Sequence, residues 1–391
     1  MCHTRRSQAL GRVLNYPGGM TQHSGDPLVE IVIPVHSTSR PIARAVSSAL
    51  LASEGARPGQ CRVTVVAHHV SAEEVRAVLS AEQRAAVRVI ECEDRGSTAA
   101  VPRNEALRRT TARYISFLDS DDTLDAGAVT RWLGIAERRG SDLVIPFQHH
   151  TGQRVDITPI LRPFRCSNLD PVKDRLGYRS SGFGLVRVAS AQEMHARFDE
   201  CVRTGEDQSF VMALYQGAAR IDYAPGLPGY LVHADAAVRV SRQPLPVRDQ
   251  VAAALGVTRS PQPGSALSDL HGSYILKYIR VNFFPAVEQV VQAGHWDATQ
   301  AHNAADIAQE LVDSAHHVEQ RLSRADIRVL RLLRSGSDVS DLQAAMGARR
   351  HFATPAALLT QSPRWWLDRQ SPLRIAAASA VQTLRYRMGC R

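Results

Sequence analysis

The segment Leu28 to Val35 reads LVEIVIPV, a near-continuous apolar run, and it restricts the fold more than any other stretch of the chain. Successive β-branched residues with almost no polar alternation suit a strand buried on both faces, as inside a parallel sheet. Further segments of the same kind come after it. Arg40 to Ala52 carries Ala43, Val46, Leu50 and Leu51 near helical spacing, and Arg62 to Ala67 (RVTVVA) is a second strand. Ser71 then opens a helix whose Glu74 completes an S-x-x-E capping box. Strands are expected at Val87 to Cys92, Arg113 to Leu118 and Asp142 to Phe147, with helices at Ala99 to Thr110 and Ala126 to Arg139. Strands and helices alternating at this spacing imply a doubly wound α/β domain, whose ligands bind beyond the C-terminal strand ends.

One of those strand ends is unusual. Ala112 to Asp125 reads ARYISFLDSDDTLD, so Asp119, Asp121 and Asp122 come directly after a buried strand. Carboxylates this close repel unless a cation, a helix N-terminus or solvent absorbs their charge. A hard divalent cation takes oxygen ligands and leaves room for phosphate oxygens, which suits nucleotide chemistry. The alternative is that Asp122 or Thr123 caps a helix starting near Leu124.

Composition narrows the class. A chain of 391 residues accommodates one catalytic domain and an accessory region. The six cysteines are scattered without a C-x-x-C pair, so neither a zinc site nor a disulfide scaffold is indicated, and a reducing cytoplasm fits. No apolar run is long enough to cross a bilayer, and residues 1–26 read as a flexible polar extension in which Met20 is an alternative start. The net charge of +9 lies in the tail: Arg321 to Arg391 holds 13 arginines against 4 acids. That confinement, with no aromatic strand pattern, argues against nucleic acid as a partner.

Four segments in order make the chain similar to the family 2 glycosyltransferases of GT-A fold: IVIPVHSTSRPIARAVSSAL, GSTAAVPRNEAL, YISFLDSDDTLDAGAV and FDECVRTGEDQSFVMALY. The resemblance runs from about Leu28 to Ser241. It implies a GT-A mixed sheet over residues 27–241, followed by a linker at 242–264 and a mainly helical region at 265–391. It also implies an inverting transfer of a sugar from a nucleotide-diphosphate sugar to an acceptor hydroxyl, the acceptor being a cell-envelope, secreted or lipid-linked glycan. Mn2+ or Mg2+ would sit on Asp119, Asp121 and Asp122, with His233 as a further ligand. Asp207 would be the base and Glu206 the second candidate, the alternative being that both acids only favour a helix N-terminus. The resemblance places Pro34, Val35, His36, Asp94, Arg103, Asn104, Asp119, Ser120 and Arg239 at the nucleotide, with Gly96 allowing a close backbone approach and Ser241 as a further phosphate donor.

One departure stands out: the second strand ends in His68-His69 where the family usually has an acidic pair. His68 therefore replaces the carboxylate that commonly holds the nucleobase, and adjacent histidines on a strand are expected on opposite faces. This departure keeps a second reading open, a GT-A-like nucleotide-sugar-binding or scaffold protein that has lost catalysis. A nucleotidyltransferase is disfavoured, because His36 to Arg40 stands where a glycine-rich phosphate loop belongs. Farther on, Ser265 to Gln292 reads as a helix broken near Phe284-Pro285, and Asp297 to Arg321 as another helix. In the terminal segment, Trp365 and Trp366 beside Arg364 and Arg369 suit either an anionic membrane surface or docking on the chain's own catalytic domain or on a partner chain.

Overall fold

The computed structural model describes residues 25–93, 98–152, 155–182, 184–233, 235, 245–259, 265–336 and 338–387. The expected extension at 1–26 therefore lies almost wholly outside the described residues, as do Asp94, Gly96, Arg239 and Ser241.

The apolar runs form the strands of a seven-stranded sheet: β1 (Val29–Val35), β2 (Cys61–Ala67), β3 (Val87–Glu91), β4 (Tyr114–Phe117), β6 (Leu143–Pro146), β8 (Leu185–Arg187) and β9 (Ile221–Ala224). The order is β3-β2-β1-β4-β8-β6-β9. β1 pairs parallel with both β2 and β4, so every β1 residue is buried. Its one acid, Glu30, is satisfied: it accepts from Arg62 at 2.7 Å and from the hydroxyls of Thr64 and Thr110 at 2.5 and 2.6 Å. β8 runs antiparallel to β4 and β6, which makes the sheet mixed. A smaller sheet of β5 (Thr123–Leu124), β10 (Tyr230–Val232) and β7 (Gln148–His150) closes over the C-terminal edge. Leu124 thus enters a strand, not the helix that the capping alternative requires.

The helices α1 (Ile42–Ala52) and α5 (Ala128–Arg139) cover one sheet face, with Trp132 at its centre. α2 (Ala72–Ala77) begins with the expected Ser71–Glu74 capping box, and α3 (Ala81–Ala86) comes next. On the other face lie α4 (Ala100–Arg109), α6 (Val188–Glu193) and α7 (Asp207–Gly217).

Much of the stretch expected as linker is helical. α8 (Val247–Arg259) buries Val251, Ala254 and Leu255, spaced for one helix face, and packs on α7. The expected break near Pro285 is absent too. α9 (Ser265–Tyr278) continues through a π turn at Ile279–Phe283 into α10 (Phe284–Gln292). Pro285 has no N–H for the carbonyl four residues back, and the wider turn ahead of it absorbs the mismatch. α11 (Ala298–Asp313), α12 (Val318–Arg321), α13 (Arg324–Ser335), α14 (Val339–Arg349), α15 (Pro355–Leu358) and α16 (Pro372–Arg387) complete the chain. The core of the second sheet face runs without interruption from Val32 and Phe117 through Phe210, Tyr274 and Phe283 to Met346.

Both terminal tryptophans pack on their own chain. The Trp365 ring lies 5.0 Å from His317 with Arg321 over it at 5.5 Å, and the Trp366 indole N–H donates to the Thr360 carbonyl at 3.3 Å. No helix among the described residues is long and apolar enough to cross a membrane.

Candidate active site

The C-terminal ends of β1, β2 and β4 open into a cleft of about 590 Å³. Pro34, Val35, His36, His68, Arg103, Asp119, Ser120, Asp121, Asp122 and Glu206 all line it. So do Arg40, His69, Gln148 and Arg203, none of which the motifs mark as site residues. His68 and His69 do not point to opposite faces. β2 ends at Ala67 and His69 adopts φ +62°, so the strand alternation has stopped and the two rings lie 4.0 Å apart.

Two arginines organise the acids. Arg103, buried in the first turn of α4, reaches Asp119 at 2.5 Å and Glu206 at 2.7 Å. Burial works against its charge, but Asp119 and Glu206 outweigh that cost and raise its pKa. Arg40, just before α1, meets Asp121 at 2.5 Å. The third acid is held differently. Buried Asp122 accepts from the Tyr230 hydroxyl at 3.0 Å and from the His233 backbone N–H at 2.8 Å, and burial followed by the Asp119 charge pushes its pKa up to about 7. Tyr230 also accepts from the Asp119 N–H at 3.2 Å, so β10 pins the whole acidic turn. The imidazole of His233 meets the Thr123 hydroxyl at 2.8 Å.

The expected four-ligand metal set is therefore not assembled. Among the described residues no group of three or more His, Cys, Asp or Glu side chains converges on a cation position. Asp119 and Asp121 still present carboxylates on the cleft wall and fit a hard cation as a pair, whereas Asp122 and His233 are committed to the small sheet. Asn104, unlike Asp122, does not line the cleft. Its amide accepts from the Phe198 N–H at 2.9 Å and donates to the Phe198 carbonyl at 2.9 Å and to Glu200 at 2.7 Å. Asn104 thereby fixes the segment that leads into α7.

At α7 the acidic pair splits. Gly205 takes φ +76°, a conformation that favours glycine, and sends the chain into the helix. Glu206 faces the cleft and Arg103. Asp207 turns the other way and accepts from the Gly182 N–H at 3.1 Å. Burial, then the neighbouring Glu206 charge, pushes the Asp207 carboxyl up to about 7, while Arg103 pulls it down. Behind it, Tyr274 donates to Gln208, and Lys277 of α9 donates to the Ser180 hydroxyl at 2.8 Å. Burial lowers the Lys277 pKa to about 8, and Asp207 partly offsets it. Sequence spacing gives no sign of Tyr230, Tyr274 or Lys277, whose partners lie 66 to 111 residues away.

Residues 30–193 match the family model described as glycosyl transferase family 2. Among curated proteins, the chain is 21% identical over 205 residues to the poly(ribitol-phosphate) beta-N-acetylglucosaminyltransferase TarP of Staphylococcus aureus, covering 52% of this chain and 62% of that protein. It is 25% identical over 225 residues to the succinoglycan biosynthesis protein ExoO of Rhizobium meliloti, covering 53% and 61%. The chain thus spans about three-fifths of the length of these relatives. In three dimensions it is similar to S. aureus TarS 1-349 in complex with UDP-GlcNAc, with a TM-score of 0.67, 14% identity, and coverage of 82% of this chain and 91% of that one. The family model matched over residues 30–193, the mixed sheet with its helical C-terminal region, and the acids gathered at the strand ends agree: this segment is similar to glycosyltransferase family 2, in a chain whose fold is the GT-A-like fold of TarS.

Proposed function

We propose that the protein is an inverting glycosyltransferase that moves a sugar from a nucleotide-diphosphate sugar to a hydroxyl of a cell-envelope or secreted glycan. The observation that carries this reading is the gathering of Arg103, Asp119, Asp121 and Glu206 on one cleft wall, with Asp207 immediately behind. A uridine diphosphate sugar is the donor we favour, since the similar TarS structure holds UDP-GlcNAc. The acceptor is an anionic glycan of the kind named for TarP, a poly(ribitol-phosphate).

In this reading the acceptor oxygen bonds to the anomeric carbon as the bond from that carbon to the diphosphate breaks, and the acceptor proton passes to a carboxylate. Asp207 has the pKa for that task, because a base is most effective when it titrates near the working pH. Its carboxyl must turn from Gly182 toward the acceptor, and Glu206 is the competing base on the cleft side. Arg40 and Arg103 sit where charge grows on the leaving diphosphate and stabilise it electrostatically. Mn2+ or Mg2+, if bound, would be held by Asp119 and Asp121 in exchange for their arginines and would add to that neutralisation.

The test is a thermal-stability titration with nucleoside diphosphates and their sugars, with and without Mn2+, followed by product detection with a glycan acceptor. A ligand at about a hundred times its dissociation constant stabilises the fold by about 2.7 kcal/mol. Asp207→Asn should lower kcat by about 10²- to 10⁴-fold with nucleotide binding unchanged. Stabilisation by no nucleotide at all would overturn the reading, and an equal loss in Glu206→Gln with none in Asp207→Asn would reassign the base.

A further inference from the structure

A second concavity lies on the same C-terminal sheet edge as the donor cleft, between residues 161–166 and α16. The two walls are fastened together. The Gln382 amide donates to the Pro159 carbonyl at 3.0 Å and accepts from the Leu161 N–H at 3.2 Å, and the Tyr223 and Tyr386 hydroxyls meet at 2.6 Å across the floor. The cavity measures about 80 Å³, enough for a phosphate-sized group and far too small for a nucleotide sugar.

Its charge is one-sided. Arg162, Arg165 and Arg385 line it, and no carboxylate does among the described residues. Arg162 is committed to buried Asp174 through two bonds of 2.7 Å. Among the described residues the other two pair with no acid. Arg165 donates to the Asn168 carbonyl at 3.0 Å, and Arg385 lies over the Phe164 ring at 4.8 Å with its buried Nε lacking a hydrogen-bond partner. Phe164 is 83% exposed and holds φ +62°, an unfavourable conformation for a bulky residue. An aromatic displayed at that cost beside two uncompensated guanidinium groups suits a ligand with an apolar carbon face and a phosphate.

The groove also has a route to the cleft. The Tyr386 ring lies 5.3 Å from Phe147, which stacks on His149 at 5.8 Å, and Gln148 between those two residues lines the cleft. Groove and cleft therefore flank one three-residue strand, β7.

Taking the transferase reading as given, we infer that this groove is an anchoring subsite for a phosphodiester-bearing glycan acceptor. One repeat is held by Arg165, Arg385 and Phe164 while another repeat of the same strand presents its hydroxyl across β7. Anchoring raises the effective concentration of acceptor hydroxyls at the cleft, so long strands are preferred over short ones without any new contact at the transfer point.

The experiment uses the full chain in calorimetric titrations with short and long phosphodiester-linked polyol oligomers, a neutral glucan of matched length, UDP, and vesicles containing anionic phospholipid. Arg385→Gln combined with Phe164→Ala should weaken binding of the long oligomer by roughly tenfold or more. UDP affinity and the thermal midpoint should stay unchanged, since Phe164 is exposed and neither residue lines the cleft. Arg165→Gln alone should weaken the long oligomer in the same direction, and the neutral glucan should not compete. Three results would overturn the proposal: an unchanged affinity in the double variant, equal binding of the neutral glucan, or binding of vesicles but of no oligomer. A chain that binds the oligomer through these residues but no nucleotide would leave the groove standing and remove the transferase reading. A chain that binds nucleotide and no oligomer would do the reverse.

Discussion

The two faces of the central sheet are finished in different ways. One face closes locally: Ile33, Val35, Val46 and Trp132 belong to a core confined to residues 28–232. The other face is covered by helices far along the chain, its core reaching Tyr274, Phe283, Leu311 and Met346. The first arrangement is what crossover helices provide in any doubly wound sheet. The second makes the helical region part of the same core as the sheet, since removing it would strip one side of the sheet. The two regimes meet at the start of α7, where Glu206 looks into the cleft and Asp207 looks toward Gly182, with Tyr274 and Lys277 behind it.

The largest effects should come from the cores themselves. Trp132→Ala on the first face and Phe283→Ala on the second should each cost about 3–5 kcal/mol. In both variants calorimetry should show a single transition at lower Tm, because the second core has no seam between sheet and helices. A separate low-temperature transition in Phe283→Ala alone would break the comparison and make the helices an independent unit.

A smaller effect is expected at Lys277. Its folded pKa of about 8 lies below its ordinary 10.5, so the unfolded chain binds the extra proton between those values and stability rises with pH across that window. Lys277→Met should abolish that rise and stabilise the protein at pH 7 by on the order of 2 kcal/mol. Denaturant unfolding at several pH values decides it, and a variant that keeps the rise would place the titrating group elsewhere.

The smallest effect probes the junction. In the proposed role of base, Asp207 must be ionised to accept a proton, so activity should climb as pH passes through about 7. Glu206→Gln removes the like charge that helps hold this pKa up, and the acidic limb of kcat should move down by on the order of one pH unit. An unmoved limb would mean that cleft-side charge does not reach Asp207.

Sequence legibility divides along the same line. β1, β2, the Ser71–Glu74 box and the acidic turn are legible because each depends on neighbours a few residues away. β8 is not, since three residues carry no periodicity and its antiparallel partners are supplied from elsewhere in the sheet. The motifs mark Asp119, Asp121, Glu206 and Arg103, and these do meet at the cleft. Arg40 escapes notice because an arginine between a strand and a helix has no local signature, although it holds Asp121. Motif position assigns Asn104 and Asp122 to ligands, but their polar atoms are occupied by Phe198, Glu200, Tyr230 and His233, partners 94 to 111 residues away. Local pattern conveys which residues carry charge; long-range closure decides which partners hold them.

Gly177 gives this closure a consequence for how such a chain can diversify. A methyl group there would stand 3.2 Å from both the Tyr274 Cα and its backbone nitrogen, so the segment before Gly182 and α9 touch main chain to main chain. Backbone does not yield as a flexible side chain does, and a contact of this kind leaves no slack for re-docking. The sheet cannot be lent to a different helical partner at this seam as one swaps a module on a linker. Under the proposed function, new acceptor preferences would have to arise at the rim, in segments such as 161–166, while the junction at Tyr274 travels with the fold as a single heritable block.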